Sequence, residues 1–485
     1  MHRVAAGHAE AGALALEAGI DVELPDTLGY GNGLVELVRS GSLDESYVDR
    51  AARRALLAKA QLGLLDAGWT PEQSVAGARE VELDSSSNRE LAREMAESSI
   101  VLLDAGTALP IRSERRAAPT TVAVVGPCAD DPLTFMGCYA FPTHVLPRHP
   151  RAGLGIEVPT ALAALRAELG EVEVVHETGC AVMGEDRSGF PAAAQAATDA
   201  DLCVAFLGDL AGLFGHGSSG EGCDAEDLRL PGVQADLLEE LLATGTPIVL
   251  VVVSGRPYAL GQFDGRLAGL VQSFFPGEEG GSAIAGVLSG RLCPGGRLPV
   301  QLPRRTGGQP STYLQPPLGG IESAGITTVD SSPLYPFGYG ASYTSFELGQ
   351  VHVSAEEIGT DEAVELGVEV TNTGERAGDQ VVQLYLHDPV ARVARPVKQL
   401  IGFARVHLEP GATAELVFDV HADRTAYTDP GLDRIVEAGA VELVVGTSAE
   451  DEHARVPVRL TGATRVVGHD RQLDTPVRVQ TPARH

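Results

Sequence analysis

Short apolar runs constrain this chain more than any other feature: residues 121–127 (TVAVVGP), 172–176 (VEVVH), 202–207 (LCVAFL), 248–253 (IVLVVV) and 269–274 (GLVQSF). They are too short for helices, and the central ones lack the apolar/polar alternation of a half-exposed strand. They therefore read as strands buried on both faces. Helical patterns separate them at residues 158–169, 191–199, 233–244 and 282–289, and a further helix at 86–98 feeds a short strand at 100–103. Strands alternating with helices imply a mainly parallel sheet covered on both sides, a six-element α/β sandwich.

The flanking segments differ in character. Residues 4–18 form an Ala-rich helical pattern, residues 18–25 (AGIDVELP) read as a strand carrying Asp21 and Glu23, and residues 32–39 and 43–62 follow as amphipathic helices, the second capped by Ser42. Residues 303–332 are rich in Pro, Gly, Ser and Thr and read as a linker or wrapping loop. Beyond residue 346 the period changes to that of short alternating strands, among them 365–371, 380–386, 414–420 and 440–445, as in a β-sandwich.

Several functions are disfavoured by composition. Sixty-six acidic against 36 basic residues give a net charge of −30, which repels a phosphate backbone, so no nucleic-acid partner is expected. The longest apolar stretch, 248–253, is far below the roughly 20 residues that cross a bilayer, so no membrane partner is expected either. The six cysteines (Cys128, Cys138, Cys180, Cys203, Cys223, Cys293) contain no CxxC pair, which disfavours structural zinc and a disulfide framework. Residues 124–131 (VVGPCADD) place Gly126 after a strand but match neither GxGxxG nor the P-loop, so Gly126 is expected to serve only a turn. The N-terminus lacks a basic region followed by an apolar core, leaving cytoplasmic or secreted location open with the cytoplasm favoured.

One loop concentrates chemistry. Residues 215–234 (GHGSSGEGCDAEDLRLPGVQ) follow the strand at 202–207 and end near Pro231, expected in the first turn of the next helix. In an open α/β sheet this places the loop at the carboxyl edge, where ligands bind. Glu221 stands among Gly215, Gly217, Gly220 and Gly222, with Asp224 and Glu226 shortly after. Such a composition is also that of an ordinary solvated turn. Cys223 is a poor nucleophile candidate, since no His follows His216 in the loop. Residues 135–149 (FMGCYAFPTHVLPRH) combine aromatics with His144 and His149 and suit either a sugar site or a packed loop.

The string SGEGCD, then LRLPGVQ and PIVLVVVSGRP, resembles the acid/base segment of glycoside hydrolase family 3, the β-glucosidase and β-xylosidase group. The likeness continues in order through residues 277–303 (GEEGGSAIAGVLSGRLCPGGRLPVQLP), 334–346 (LYPFGYGASYTSF) and 395–411 (RPVKQLIGFARVHLEPG), the last resembling the family's fibronectin type III-like domain. The resemblance implies an α/β plus all-β chain. Its parts are the C-terminal remnant of a (β/α)8 barrel (1–75), an α/β sandwich domain carrying the acid/base loop (84–303), a linker (304–345), a fibronectin type III-like domain (346–462) and a tail (463–485). It implies a retaining β-glycosidase acting on terminal β-D-glucosyl or β-D-xylosyl residues, with Glu221 as general acid/base, a carbohydrate substrate and no cofactor. N-acetylglucosaminidases of the family take their acid/base from a barrel loop, so SGEG points to the glucosidase or xylosidase branch. The family's nucleophile is an aspartate in a Ser-Asp-Trp or Ser-Asp-Tyr context, and neither tripeptide occurs here. That implies an N-terminally truncated chain, in which Asp21 and Glu23 are poor substitutes for the nucleophile and are expected to be structural at the barrel's edge. The alternative is a non-catalytic fragment or a sugar-binding or assembly module.

Overall fold

The structure is a computed structural model and describes residues 3–76, 82–113, 117–307, 312–315 and 332–480. The chain divides into two units, Met1–Ser85 and Ser86–His485.

The first unit contains α1 (His8–Ala18), α2 (Asn32–Arg39), α3 (Glu45–Gln61) and the single turn α4 (Pro71–Ser74). Its buried core is small, Leu16, Leu34, Leu43 and Ala51. The strand expected at 18–25 does not form. No other strand exists among the described residues of this unit, so an extended segment there has no ladder partner for its backbone groups. α3 is capped by Asp44, whose side chain accepts the Ser46 N–H at 2.8 Å, and not by Ser42.

The second unit begins with α5 (Ser86–Ser99) and continues through β1 (Val101–Asp104), β2 (Thr121–Val125), α6 (Phe141–Val145), α7 (Ala161–Leu169), β3 (Glu173–Glu177), α8 (Phe190–Thr198), β4 (Leu202–Gly208), α9 (Gln234–Ala243), β5 (Ile248–Val253), β6 (Gly269–Gln272) and α10 (Gly280–Ser289). The six strands form one sheet in the order β1-β6-β5-β4-β2-β3. All neighbours are parallel except β1 and β6. β1 enters from α5 without crossing the sheet from another strand, and an antiparallel edge strand on a parallel sheet is a common outcome. β4 and β5 are buried along their whole length. Val204, Phe206, Val249 and Val251 pack with residues of α7 and α10 on one face; Cys203, Ala205, Leu207, Leu250 and Val252 pack with α8 and α9 on the other. Period-2 alternation thus serves two apolar layers, each large side chain contributing about 1.5–3 kcal/mol.

The connection from β2 runs over the α7 face to β3, whereas the connection from β4 runs over the α9 face to β5. Because β2 and β4 are neighbours, the winding reverses between them and opens a crevice at their carboxyl ends.

A short antiparallel pair, β7 (Leu302–Pro303) and β8 (Pro333–Tyr335), precedes the sandwich. The sandwich is built from β9 (Phe346–Val353), β10 (Glu357–Gly359), β11 (Ala363–Asn372), β12 (Gly378–His387), β13 (Gln399–Leu408), β14 (Thr413–His421), β15 (Tyr427–Thr428), β16 (Arg434–Val436), β17 (Gly439–Gly446), β18 (Glu452–Thr461), β19 (Arg465–Val466) and β20 (Val477–Gln480). Sheets β10-β18-β17-β12-β13 and β20-β14-β11-β9 enclose a core that includes Leu366, Val368, Leu384 and Phe418. Arg405 joins sandwich to α/β layer by donating to the carbonyls of Ser98 (3.0 Å) and Gly295 (2.7 Å). Of the expected linker, residues 308–311 and 316–331 lie outside the described residues; Tyr313 stacks on Phe337 with centroids 4.4 Å apart.

Candidate active site

The loop after β4 is braced from below. Asp209 follows β4 directly and is fully buried. Its Oδ1 accepts the Ser218 hydroxyl (2.8 Å) and the Tyr258 hydroxyl, and its Oδ2 accepts the Gly255 N–H (2.8 Å). Burial, with Asp209 alongside, pushes the Tyr258 phenol well above its ordinary ionisation, so it remains a donor. The Arg256 guanidinium donates to the carbonyls of Ser218 and Cys223. Across the loop, Ser218 N–H bonds Leu210 O (2.9 Å), Gly212 N–H bonds Ser219 O (2.8 Å) and Phe214 N–H bonds Glu221 O (2.7 Å). The glycine-rich composition suggests flexibility; the buried Asp209 carboxylate and the half-buried Arg256 guanidinium instead hold the backbone in one path. Phe214 is 60% exposed and sits at φ 55, a strained conformation for a bulky residue that costs about 1–3 kcal/mol. Pro231 stands before α9, not in its first turn, because the helix starts at Gln234.

The loop after β2 reaches the same crevice. Gly126 has φ +117, and a Cβ there would lie 2.2 Å from Phe206 O on β4, so this turn admits only glycine. Further on, the Tyr139 hydroxyl donates to Glu221 Oε2. That bond, with the carboxylate as acceptor, holds the Tyr139 phenol above its ordinary ionisation. Glu221 and Tyr139 are both exposed.

The other candidates lie elsewhere. Asp224 and Glu226 line a cavity of about 620 Å³ with Asp227, Arg229, Met183 and Tyr258, and Glu221 is not among its lining residues. Cys223 is buried with its thiol 3.8 Å from Glu221 O. His144 is exposed, its ring 6.1 Å from that of Tyr139, and His149 is exposed. In the first unit, Asp21 pairs with Arg54 at 3.2 Å. Glu23 accepts the N–H groups of Gly29 (2.9 Å) and Tyr30 (2.8 Å), which hold its carboxyl below the usual range. Among the described residues no group of three or more His, Cys, Asp or Glu is arranged to hold a metal ion, and no helix is long and apolar enough to cross a membrane. Sequence reasoning missed Asp209, Tyr258 and Arg256, whereas Tyr139 lies in the aromatic stretch 135–149 that the sequence singles out. Asp209 directly after an apolar run and Arg256 directly after the next (VVVSGR) were the available signals.

The glycosyl hydrolase family 3 C-terminal domain matches residues 100–343, and a fibronectin type III-like domain matches residues 380–449. A β-xylosidase of Formosa agariphila is 33% identical over 461 residues, covering 93% of this chain and 61% of the relative. A periplasmic β-glucosidase of Salmonella typhimurium is 32% identical, covering 92% of this chain and 60% of the relative. Among solved structures, a β-glucosidase from Erythrobacter marinus superposes with a TM-score of 0.76 at 34% identity, over 95% of this chain and 61% of that one. A β-glucosidase involved in saponin metabolism from intestinal bacteria gives 0.80 at 28% identity, over 95% and 65%. The chain thus spans about three fifths of the length of these proteins. With just over half of its residues matched by the family's C-terminal domain, and a β-sandwich of the accompanying type after it, the chain belongs to glycoside hydrolase family 3.

Proposed function

We propose that this chain carries the acid/base half of a retaining β-glycosidase that removes terminal non-reducing β-D-glucosyl or β-D-xylosyl residues. Glu221 protonates the leaving oxygen as the glycosidic bond breaks, then takes a proton from the water that releases the sugar. The nucleophilic aspartate comes from a barrel to which residues 1–75 contribute and whose Ser-Asp-Trp or Ser-Asp-Tyr segment does not occur in the 485-residue sequence, and the two carboxyl groups approach to roughly 5 Å in the working enzyme. One observation carries the proposal: Glu221 is presented at the reversal of sheet winding by a loop whose backbone is fixed by the buried Asp209 and the half-buried Arg256. Two carboxylates suffice for this chemistry, and the relatives' names supply the substrate class.

The test is Glu221→Ala in the enzyme extended to include the nucleophile. Alkyl glycosides, whose leaving groups need a proton, lose turnover by about 10²-fold or more. Aryl glycosides with good leaving groups keep their glycosylation step. Unchanged alkyl glycoside turnover would move the assignment to Asp224 or Glu226. The absence of Ser-Asp-Trp and Ser-Asp-Tyr from the sequence favours a second reading for the chain by itself, a non-catalytic or sugar-binding module.

A further inference from the structure

Two consecutive residues of the loop after β2 lie against two consecutive residues of the loop after β4. Gly220 has φ +121, and a Cβ on it would come within 2.7 Å of the Cys138 Cβ. The next residue on each loop makes the second contact, from the Tyr139 hydroxyl to Glu221 Oε2. The Glu221 main chain is already fixed, its carbonyl accepting the Phe214 N–H while Arg256 holds the carbonyls of Ser218 and Cys223 on either side. Its carboxyl is not. Among the described residues, Tyr139 supplies the one side-chain hydrogen bond to that carboxyl. Within five residues of Tyr139 or Glu221 along the chain, the other titratable groups are Cys138 and His144 after β2, and His216, Cys223, Asp224 and Glu226 after β4.

An exposed glutamate on a fixed backbone samples several rotamers unless a partner selects one. A neutral phenol donating to a carboxyl oxygen selects one of them. We propose that Tyr139 is a positioning residue for Glu221, clamping its carboxyl across the crevice in the orientation from which it serves the leaving oxygen and the attacking water. This rests on Glu221 being the acid/base. The same clamp serves both half-reactions.

Two experiments test this. In the 485-residue chain, ultraviolet titration of wild type against Tyr139→Phe isolates the ionisation of this phenol, and Glu221→Gln should move it to lower pH. An unmoved phenol overturns the clamp. In the nucleophile-containing enzyme, Tyr139→Phe should lower kcat on an activated aryl glycoside, where release is limiting, about tenfold, and should add no further loss in the Glu221→Gln background. An unchanged kcat, or an equal further loss in the Glu221→Gln background, makes Tyr139 merely structural and overturns the inference. Glu221→Gln separates the failures: if it abolishes alkyl glycoside turnover while Tyr139→Phe shifts nothing, the clamp alone falls. If it leaves alkyl turnover intact, the acid/base assignment falls and the clamp with it.

Discussion

Replacing Asp209 by alanine removes the brace under the proposed acid/base loop. Three donors lose their acceptor at once: the Ser218 hydroxyl, the Tyr258 hydroxyl and the Gly255 N–H. A buried donor left unpaired costs about 1–3 kcal/mol, and the three share one acceptor group, so their losses are not fully additive. Tyr258 is almost wholly buried and has the least access to replacement water. Asp209→Ala is therefore expected to destabilise the α/β domain by about 3–5 kcal/mol, a large share of the 5–15 kcal/mol typical of a domain. Asp209→Asn keeps one oxygen acceptor and should cost less, about 1–3 kcal/mol. Urea unfolding, followed by amide exchange at β4 and the 210–223 backbone, reads both. A loss below about 1 kcal/mol for Asp209→Ala, with exchange in the loop unchanged, refutes the idea that a buried carboxylate fixes this backbone.

Three further expectations concern stability, thiol chemistry and association. Asp201 accepts from the Thr120 hydroxyl and the N–H groups of Thr120 and Thr121, which lower its folded pKa; its contribution is present above the ordinary aspartate value and lost as pH falls through the folded one, so Asp201→Asn should flatten the acid side of a stability profile. Burial pushes the Cys180 thiol up to about 11 and Cys203 up to about 12, and raises Cys128 well above its ordinary value, so in native protein these three should resist iodoacetamide while half-buried Cys138 and Cys293 label first by mass spectrometry. Leu24 (82% exposed), Leu62 (73%) and Leu28 (60%) leave apolar surface open on the first unit, so deleting residues 1–75 should reduce self-association in sedimentation experiments, and a monomeric full chain would contradict this.

Much of the sheet was legible because the strands state their environment locally. A run such as IVLVVV has no polar residue to place on a wet face, and β5 occupies the span its sequence indicates, Ile248–Val253. Thr160 opens α7 by accepting the Ala163 N–H, and Gly290 ends α10 in the left-handed conformation. The 18–25 segment misled because its apolar alternation satisfies a strand's pattern while a strand also needs a neighbour, which the local sequence does not report. Candidate site residues split the same way. Glu221 is visible as a carboxylate among glycines on a strand-following loop. Its surroundings are not, since Asp209, Tyr258 and Arg256 meet only after β4 and β5 have paired, and Tyr139 approaches Glu221 across 82 residues of sequence. Long-range partners of this kind leave no periodic trace.

The central claim is that Glu221 is the acid/base of a retaining glycosidase, and one product tests it most directly. In the nucleophile-containing enzyme carrying Glu221→Ala, hydrolysis of an activated aryl β-glucoside or β-xyloside should stall at the glycosyl-enzyme, because no base activates water. Azide needs no such base. Adding it should restore turnover and yield the glycosyl azide with the β configuration retained. The same substitution at Asp224 or Glu226 should give neither effect. Recovery of free sugar alone, at an azide-independent rate, would contradict the assignment of Glu221.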